Sequence, residues 1–175
     1  AAGIDCDYHK GGWIRAARNT AQARRQREEI AHDYALGLTD DDLRLLEPDE
    51  ARDHMSASRV SSGIFFSHCA ALHPAKLAFG LADHLDANGV EIAESTTVSA
   101  IDPSGVHTDH GNVRADVVIR ATEAYTRDLA GERRALLPVY SLMIATEPLS
   151  DGVLAEIGLS DRPTFSDDRF MVIYG

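Results

Sequence analysis

Two histidines near the middle of the chain stand where an imidazole could take part in chemistry. His68 follows a short apolar run, and His73 directly precedes Pro74. Imidazole changes charge near neutral pH, so such a side chain can bind a proton, a metal ion or a polar substrate. A residue that precedes Pro at the first helical position is typical of a helix cap, and we assign His73 that structural role. His68 is therefore the candidate that could line a site.

A second group of histidines, in the run His107-x-Asp109-His110, suggests a metal site. His107 and Asp109 would lie on one face of a strand, and both side chains are of types that bind zinc. However, Gly105 occupies the position where a third ligand would precede them, and residues 109–112 are typical of a hairpin turn. We favour the turn and predict no metal site.

Other catalytic motifs are absent from the sequence. It contains no P-loop, no Gly-x-Ser-x-Gly turn and no Cys-x-x-Cys pair. Cys6 and Cys69 are too few and too isolated for a disulfide framework, so we expect free thiols in a reducing, cytoplasmic compartment. No acid–base pair stands out, and the catalytic residues stay unknown.

The segment after His73 carries the clearest pattern of regular elements. Leu77, Leu81 and Leu85 recur at every fourth position and predict a helix with one apolar stripe. Asn88-Gly89 predicts the end of that helix, since Gly adopts the left-handed conformation without steric cost.

Short strands and turns are predicted to follow this helix. Residues 90–92 and 96–101 are expected to be extended, and a turn at 102–105 leads to a strand at 106–109. Residues 117–122 form a nearly unbroken β-branched run, which is typical of a strand covered on both faces. This part of the chain is therefore predicted as a helix, a β-meander and a buried strand.

The flanking regions are predicted to contain both helices and strands. The predicted strands are 4–8, 13–17, 63–66, 137–146 and 170–174, and the predicted helices are 19–36, 47–55 and 151–157. The first two strands are expected to form a hairpin, and the first helix is expected to bury Ala23, Ile30, Tyr34 and Leu38. The fold class predicted from all these elements is α/β or α+β with a mixed β-sheet.

Composition and charge exclude several classes of partner. Charged residues make up 26% and apolar residues 44% of the 175 residues, which are ordinary values for a globular protein. The net charge of −11 argues against nucleic acid and against anionic membrane surfaces.

Several runs resemble one family of enzymes. They are His73-Pro74-x-Lys76-Leu77, Leu81-Ala82, Gly89-Val90-x-Ile92-x-Glu94, Thr97-Val98 and Val117-Val118-Ile119-x-Ala121-Thr122. These runs resemble the FAD-dependent amine and amino-acid oxidoreductases, the superfamily of D-amino-acid oxidase, glycine oxidase and sarcosine oxidase. The run from Leu137 to Leu149 is similar to the γ-glutamylputrescine oxidase branch.

The resemblance implies a division into two kinds of domain. Residues 1–66 and 130–175 would be pieces of a substrate domain with a mixed sheet, and residues 67–129 part of an FAD-binding domain. The family holds the FAD pyrophosphate at a G-x-G-x-x-G turn, and no two glycines here stand in G-x-G spacing. We therefore expect an internal fragment of a longer flavoprotein, which alone lacks FAD and activity.

The resemblance also implies residues that lie near the cofactor. Val98 matches the family position whose backbone contacts the adenine ring, and Ala121-Thr122 match a small-residue turn beside the cofactor. Glu123 stands where the family usually has Gly or Asn, and its carboxylate would repel a phosphate.

His68, Tyr140 and Met143 are the candidates for the substrate side. Tyr140 and Met143 belong to the strand that lines this side in the family, although each could be an ordinary sheet residue. The substrate would be a small-molecule amine or amino acid, whose C–N bond is oxidised by hydride transfer to FAD.

Two further expectations concern the chain by itself. An unpartnered strand within residues 90–122 would make the chain self-associate or leave part of that region mobile. The alternative to an enzyme is a non-enzymatic binding or interaction module on a flavoprotein-like scaffold.

Overall fold

The structure, a computed structural model, describes residues 2–175, which form two units. The first unit contains the residues up to Leu85 together with Thr146–Gly175, and the second unit contains Asp86–Ala145. The strands are β1 (Trp13–Ala17), β2 (Leu43–Leu46), β3 (Ser62–Phe66), β4 (Val98–Asp102), β5 (Gly105–Thr108), β6 (Gly111–Arg114) and β7 (Thr164–Asp167). The helices are α1 (Thr20–Ala35), α2 (Pro48–His54), α3 (Pro74–Ala87) and α4 (Asp151–Glu156), and a short 3-10 helix spans Glu123–Asp128.

The first unit is built on a mixed four-stranded sheet in the order β2-β3-β1-β7. β1 pairs antiparallel with β3 and parallel with β7, so strands from both ends of the sequence meet at β1. Ile14, Leu46 and Ile64 are almost fully buried, and they supply the apolar contacts that hold the sheet against α1 and α2. This mixed sheet confirms the predicted fold class.

Helix α1 begins where the sequence predicts, because Asn19 Oδ1 accepts a hydrogen bond from Gln22 N at 2.9 Å. Ala23 and Ile30 are buried as expected, whereas Tyr34 and Leu38 are each 39% exposed. A glutamine of α1 is instead the most deeply buried residue of this helix. Gln26 is fully buried because its amide bonds both Arg15 O and Ser62 Oγ.

The predicted first hairpin is wrong. Residues 4–8 form no strand, and His9 makes a single antiparallel bridge with Ala71. Gly11 and Gly12 do not turn the chain back on itself, because β1 finds its partners in β3 and β7. The local Gly-Gly signal was outweighed by pairing with distant strands, whose apolar faces bury more surface.

Helix α3 has the predicted bounds but not the predicted burial. His73 Nδ1 accepts a bond from Lys76 N at 3.3 Å, which confirms His73 as the cap, and Gly89 follows the helix with a φ of +81°. Leu81 and Leu85 nevertheless remain 43% and 42% exposed, so the apolar stripe is not a core stripe in this chain. None of the helices among residues 2–175 is long and apolar enough to cross a membrane.

The second unit contains an antiparallel meander in the order β4-β5-β6. Gly105 opens β5 with a φ of +150°, and a Cβ there would meet Val113 O at 1.9 Å. Only glycine fits this close approach between backbones. The turn at 102–105 is therefore confirmed, whereas Gly111 and Asn112, which the sequence predicts in a turn, belong to β6.

One histidine links all three strands of this meander. His107 Nε2 lies 2.7 Å from Asp102 Oδ2 on β4, and His107 Nδ1 lies 2.7 Å from Asn112 Oδ1 on β6. Hydrogen bonds from Ser104 and from His107 lower the pKa of Asp102 to about 2, and the bonds to Asp102 and Asn112 raise the pKa of His107. In its imidazolium form, His107 donates one hydrogen bond to Asp102 Oδ2 and one to Asn112 Oδ1.

These two pKa shifts predict that the stability of the meander is greatest at intermediate pH and falls at both acidic and alkaline pH. The contribution of Asp102 is present above its ordinary pKa of 3.8 and is lost as the pH falls towards about 2. The contribution of His107 is complete below its ordinary pKa of 6.5 and is lost as the pH rises through its raised value. Hydrogen-exchange protection of residues 98–114, corrected for intrinsic rates, should show both limbs. His107→Gln should remove the alkaline limb, and a flat profile in the wild-type chain would contradict the prediction.

Three other predicted strands, at 90–92, 117–122 and 137–146, are wrong, because these residues are irregular in the structure. The predicted strand at 170–174 forms only one bridge, between Ser166 and Tyr174. Val117 and Ile119 are 77% and 85% exposed, not buried. A strand needs neighbours that accept its backbone hydrogen bonds, and the described residues supply none to the run at 117–122.

Candidate functional site

A group of three ionisable side chains in the first unit lies where three sheet strands begin or end. Leu43 at the start of β2 pairs with Phe66 at the end of β3, and Trp13 at the start of β1 pairs with the same residue. This register brings three neighbouring loops together. Asp42, His68 and Lys10, which lie one to three residues outside these strands, consequently meet at one edge of the sheet.

Asp42 holds His68 in a defined orientation. His68 Nε2 lies 2.8 Å from Asp42 Oδ1, and Asp42 Oδ2 accepts bonds from the backbone N and the hydroxyl of Thr39 at 2.9 and 3.0 Å. The bond from His68, followed by the bonds from Thr39, lowers the pKa of Asp42. The ring of Phe66 contacts the imidazole edge to face, with centroids 5.5 Å apart. His68 therefore presents its other nitrogen, Nδ1, away from the carboxylate.

Lys10 faces that free side of the imidazole. Its Nζ lies 3.5 Å from His68 Nδ1, at the outer limit of a hydrogen bond. The sequence points to His68 but not to its two partners. Asp42 lies within an acidic run, and Lys10 precedes a pair of glycines, so neither carried a signal until the strand register was known.

The residues predicted to lie near the cofactor are found in the second unit. Val98 begins β4 and pairs with Thr108, and Thr122 donates to or accepts from Thr126 through their hydroxyls at 2.7 Å. Ala121 is exposed, and Glu123 opens the 3-10 helix. Their contact with a cofactor stays a prediction.

Glu123 has a backbone conformation that suits a different residue. Its φ is +42°, in the left-handed region that L-residues with a Cβ rarely adopt and that Gly and Asn tolerate. Its side-chain carboxylate accepts a hydrogen bond from Ala124 N. The turn thus retains the geometry of a glycine or asparagine turn although its residue is a glutamate.

We expect Glu123→Gly to stabilise the second unit. The replacement removes the strain of the left-handed conformation. The greater freedom of Gly in the unfolded chain offsets part of this gain, so we expect the free energy of unfolding to rise by about 0.5–1 kcal/mol. Urea titration followed through amide signals of residues 98–128 measures this. Glu123→Gln is the control, because it removes the charge but keeps the strain, and equal gains for the two variants would contradict the explanation.

The two residues predicted on the substrate side lie in the irregular segment of the second unit. Tyr140 is 80% exposed and Met143 is 91% exposed, so the structure gives them no partner strand. Their contact with a substrate stays a prediction. The two ring nitrogens of His107 face Asp102 and Asn112, and within residues 2–175 no three His, Cys, Asp or Glu side chains are grouped to hold a metal ion.

The fold is that of flavoprotein oxidases. The structure is similar to that of glycine oxidase from Geobacillus kaustophilus, with a TM-score of 0.64 and 22% sequence identity over 75% of this chain and 36% of that one. A family model for FAD-dependent oxidoreductases, named DAO, matches residues 1–175. The chain therefore belongs to the FAD-dependent oxidoreductase family, which confirms the family predicted from the sequence.

Two curated proteins are similar to this chain in sequence. It is 30% identical over 182 residues to the probable oxidoreductase OrdL of Haemophilus influenzae, which covers 98% of this chain. It is 31% identical over 153 residues to γ-glutamylputrescine oxidoreductase of Escherichia coli, which covers 85% of this chain. The chain spans 41% and 35% of the lengths of these two relatives.

The residues of this chain do not fit the phosphates of FAD. A flavin pyrophosphate needs free backbone N–H donors at a glycine-rich turn, and the sequence has no G-x-G. At the turn near Thr122, the Glu123 carboxylate already occupies Ala124 N and would repel a phosphate. Binding of FAD phosphates would therefore depend on residues outside these 175.

Proposed function

We propose that this chain provides the substrate-domain sheet and part of the cofactor domain of an enzyme that oxidises the C–N bond of an amine or amino acid. The family match over the whole chain carries this proposal. The names of the relatives, γ-glutamylputrescine oxidoreductase and glycine oxidase, support an amine or amino-acid substrate. A bound flavin would supply the acceptor for the hydride that leaves the carbon next to the amine.

The contribution of this chain is positioning. The mixed sheet holds the loops that carry Lys10, Asp42 and His68, and hydrogen bonds from Thr39 fix the carboxylate that orients the imidazole. In this proposal His68, Tyr140 and Met143 face the substrate, and Val98 and the Ala121-Thr122 turn face the adenine side of the cofactor. The compartment we propose is the cytoplasm, in accord with two free cysteines.

The 175 residues alone would be inactive in this proposal, because they contain no turn that binds the pyrophosphate. The test is the gene around the coding region of this chain. We expect an upstream strand–G-x-G-x-x-G–helix segment. In a purified protein that includes this segment, the bound flavin should be reduced under anaerobic conditions by an amine or an amino acid. A gene product that contains no such segment would instead favour the non-enzymatic binding module.

We further propose that the isolated chain self-associates. Val117, Ile119, Leu142 and Met143 expose most of their apolar surface, and patches of this kind favour association. Analytical ultracentrifugation should show a mass that rises with concentration, and Ile119→Thr should weaken the association because it removes exposed apolar surface only. A monodisperse monomer at all concentrations would overturn this part of the proposal.

A further inference from the structure

The positive charge of Lys10 is not neutralised in the first unit. Of the described residues, no carboxylate lies within 4.0 Å of its Nζ, and its polar contact is the imidazole of His68 at 3.5 Å. Lys76, the other lysine of the chain, is different, since its Nζ lies 2.8 Å from Asp7 Oδ2. Lys10 is thus an ammonium group held beside an imidazole and open to solvent.

The carboxylate of Asp42 does not pair with the ammonium group of Lys10. Both of its oxygens are engaged, Oδ2 by Thr39 and Oδ1 by His68 Nε2. The carboxylate lies behind the imidazole, with Lys10 on the opposite side of the ring. An imidazole that donates through Nε2 to a carboxylate can take a second proton at Nδ1, because the resulting imidazolium remains paired with that carboxylate.

We propose that Lys10 and His68 form a binding site for the carboxylate group of a small ligand. One carboxylate oxygen accepts from Lys10 Nζ, and the other accepts from the protonated Nδ1 of His68. The proton comes from solvent, and no covalent bond forms or breaks. Lys10, the imidazolium and Asp42 together carry one net positive charge, which the carboxylate neutralises.

Proton uptake makes the site pH-dependent. Of the described residues, Asp42 and Lys10 are the charged groups in direct contact with His68. Because His68 must carry a proton on Nδ1, a carboxylate ligand should bind more tightly in acidic than in alkaline solution. If the ligand is the substrate, that substrate is an amine that also carries a carboxylate; this extension alone rests on the proposed function.

The experiment titrates the chain with sodium acetate and follows the imidazole signals of His68 by NMR. Sodium chloride at the same ionic strength is the reference, and His68→Gln identifies the signal. We expect a saturable shift of the His68 signal with acetate, and we expect acetate to bind more tightly in acidic than in alkaline solution. The measurement requires no flavin and no turnover, so it is independent of the proposed enzyme activity.

The two lysines of the chain give a matched pair of variants. Lys10→Met should weaken acetate binding about fivefold or more, whereas Lys76→Met should leave it unchanged. Trp13 fluorescence checks that each variant keeps the fold of the first unit. A shift that is equal with chloride, that is unchanged by Lys10→Met, or that is independent of pH would overturn the proposal.

Discussion

Replacing Gln26 by Ala should destabilise the first unit by about 3 kcal/mol. Gln26 is fully buried, and its amide donates to Arg15 O at 3.0 Å and accepts from Ser62 Oγ at 2.7 Å. The replacement leaves both of these buried groups without their partner and opens a cavity between α1 and the sheet. Urea unfolding followed by Trp13 fluorescence measures the change, because Trp13 lies on β1.

Arg27→Ala is the matched control for this variant. Arg27 is exposed on the next position of the same helix, and Ala is a strong helix former, so we expect a change within about 0.5 kcal/mol. Ser62→Ala should have an intermediate effect, since it removes one of the two bonds. A loss below about 1 kcal/mol for Gln26→Ala would show that the amide network contributes little to stability.

Replacing Gly105 by Ala should disrupt the meander of the second unit. A Cβ at this position would lie 1.9 Å from Val113 O and 2.9 Å from Arg114 Cα, which are backbone atoms that cannot move without loss of the β5–β6 pairing. The φ of +150° adds strain for any residue with a side chain. We expect a loss of about 2–4 kcal/mol, measured as lost exchange protection of residues 98–114.

Gly111→Ala is the control for the meander. Gly111 also has a positive φ, of +131°, but a Cβ there would meet nothing within 4 Å. It should therefore cost only the backbone strain of about 1–2 kcal/mol. Equal losses for the two variants would mean that conformation, not the close approach to Val113, decides the requirement for glycine.

Local signals in the sequence predicted the helices well. The caps at Asn19 and His73, the proline at the start of α2 and the glycine after α3 act within one turn of the chain, and each helix begins or ends near the predicted residue. Helix boundaries depend on such short-range hydrogen bonds and backbone preferences, which a sequence displays directly.

Strand pairing was predicted less well because it depends on distant residues. The run at 117–122 has the composition of a buried strand, yet the described chain offers it no neighbour, and it stays exposed. The strand β7 was missed because its four residues carry no clear alternation, although β1 pairs with it. The polar core at Gln26 was missed because hydropathy alone gives no reason to bury an amide.

The candidate site also depends on residues that are distant in the sequence. The sequence pointed to His68, but Asp42 and Lys10 lie 26 and 58 positions away from it, and only the register of β1, β2 and β3 brings them together. Family resemblance did not supply these partners either. The pairing of Leu43 and Trp13 with Phe66 is the observation that assembles the group.

We propose that this chain has the family scaffold but not the groups that hold the FAD phosphates. The most direct measurement is the visible absorbance spectrum of the purified chain before and after incubation with FAD and desalting. We predict that no flavin band remains, because the Glu123 carboxylate would repel a phosphate at this turn and the sequence has no G-x-G turn. A retained flavin band would contradict this account and would mean that these 175 residues bind FAD by contacts other than a pyrophosphate turn.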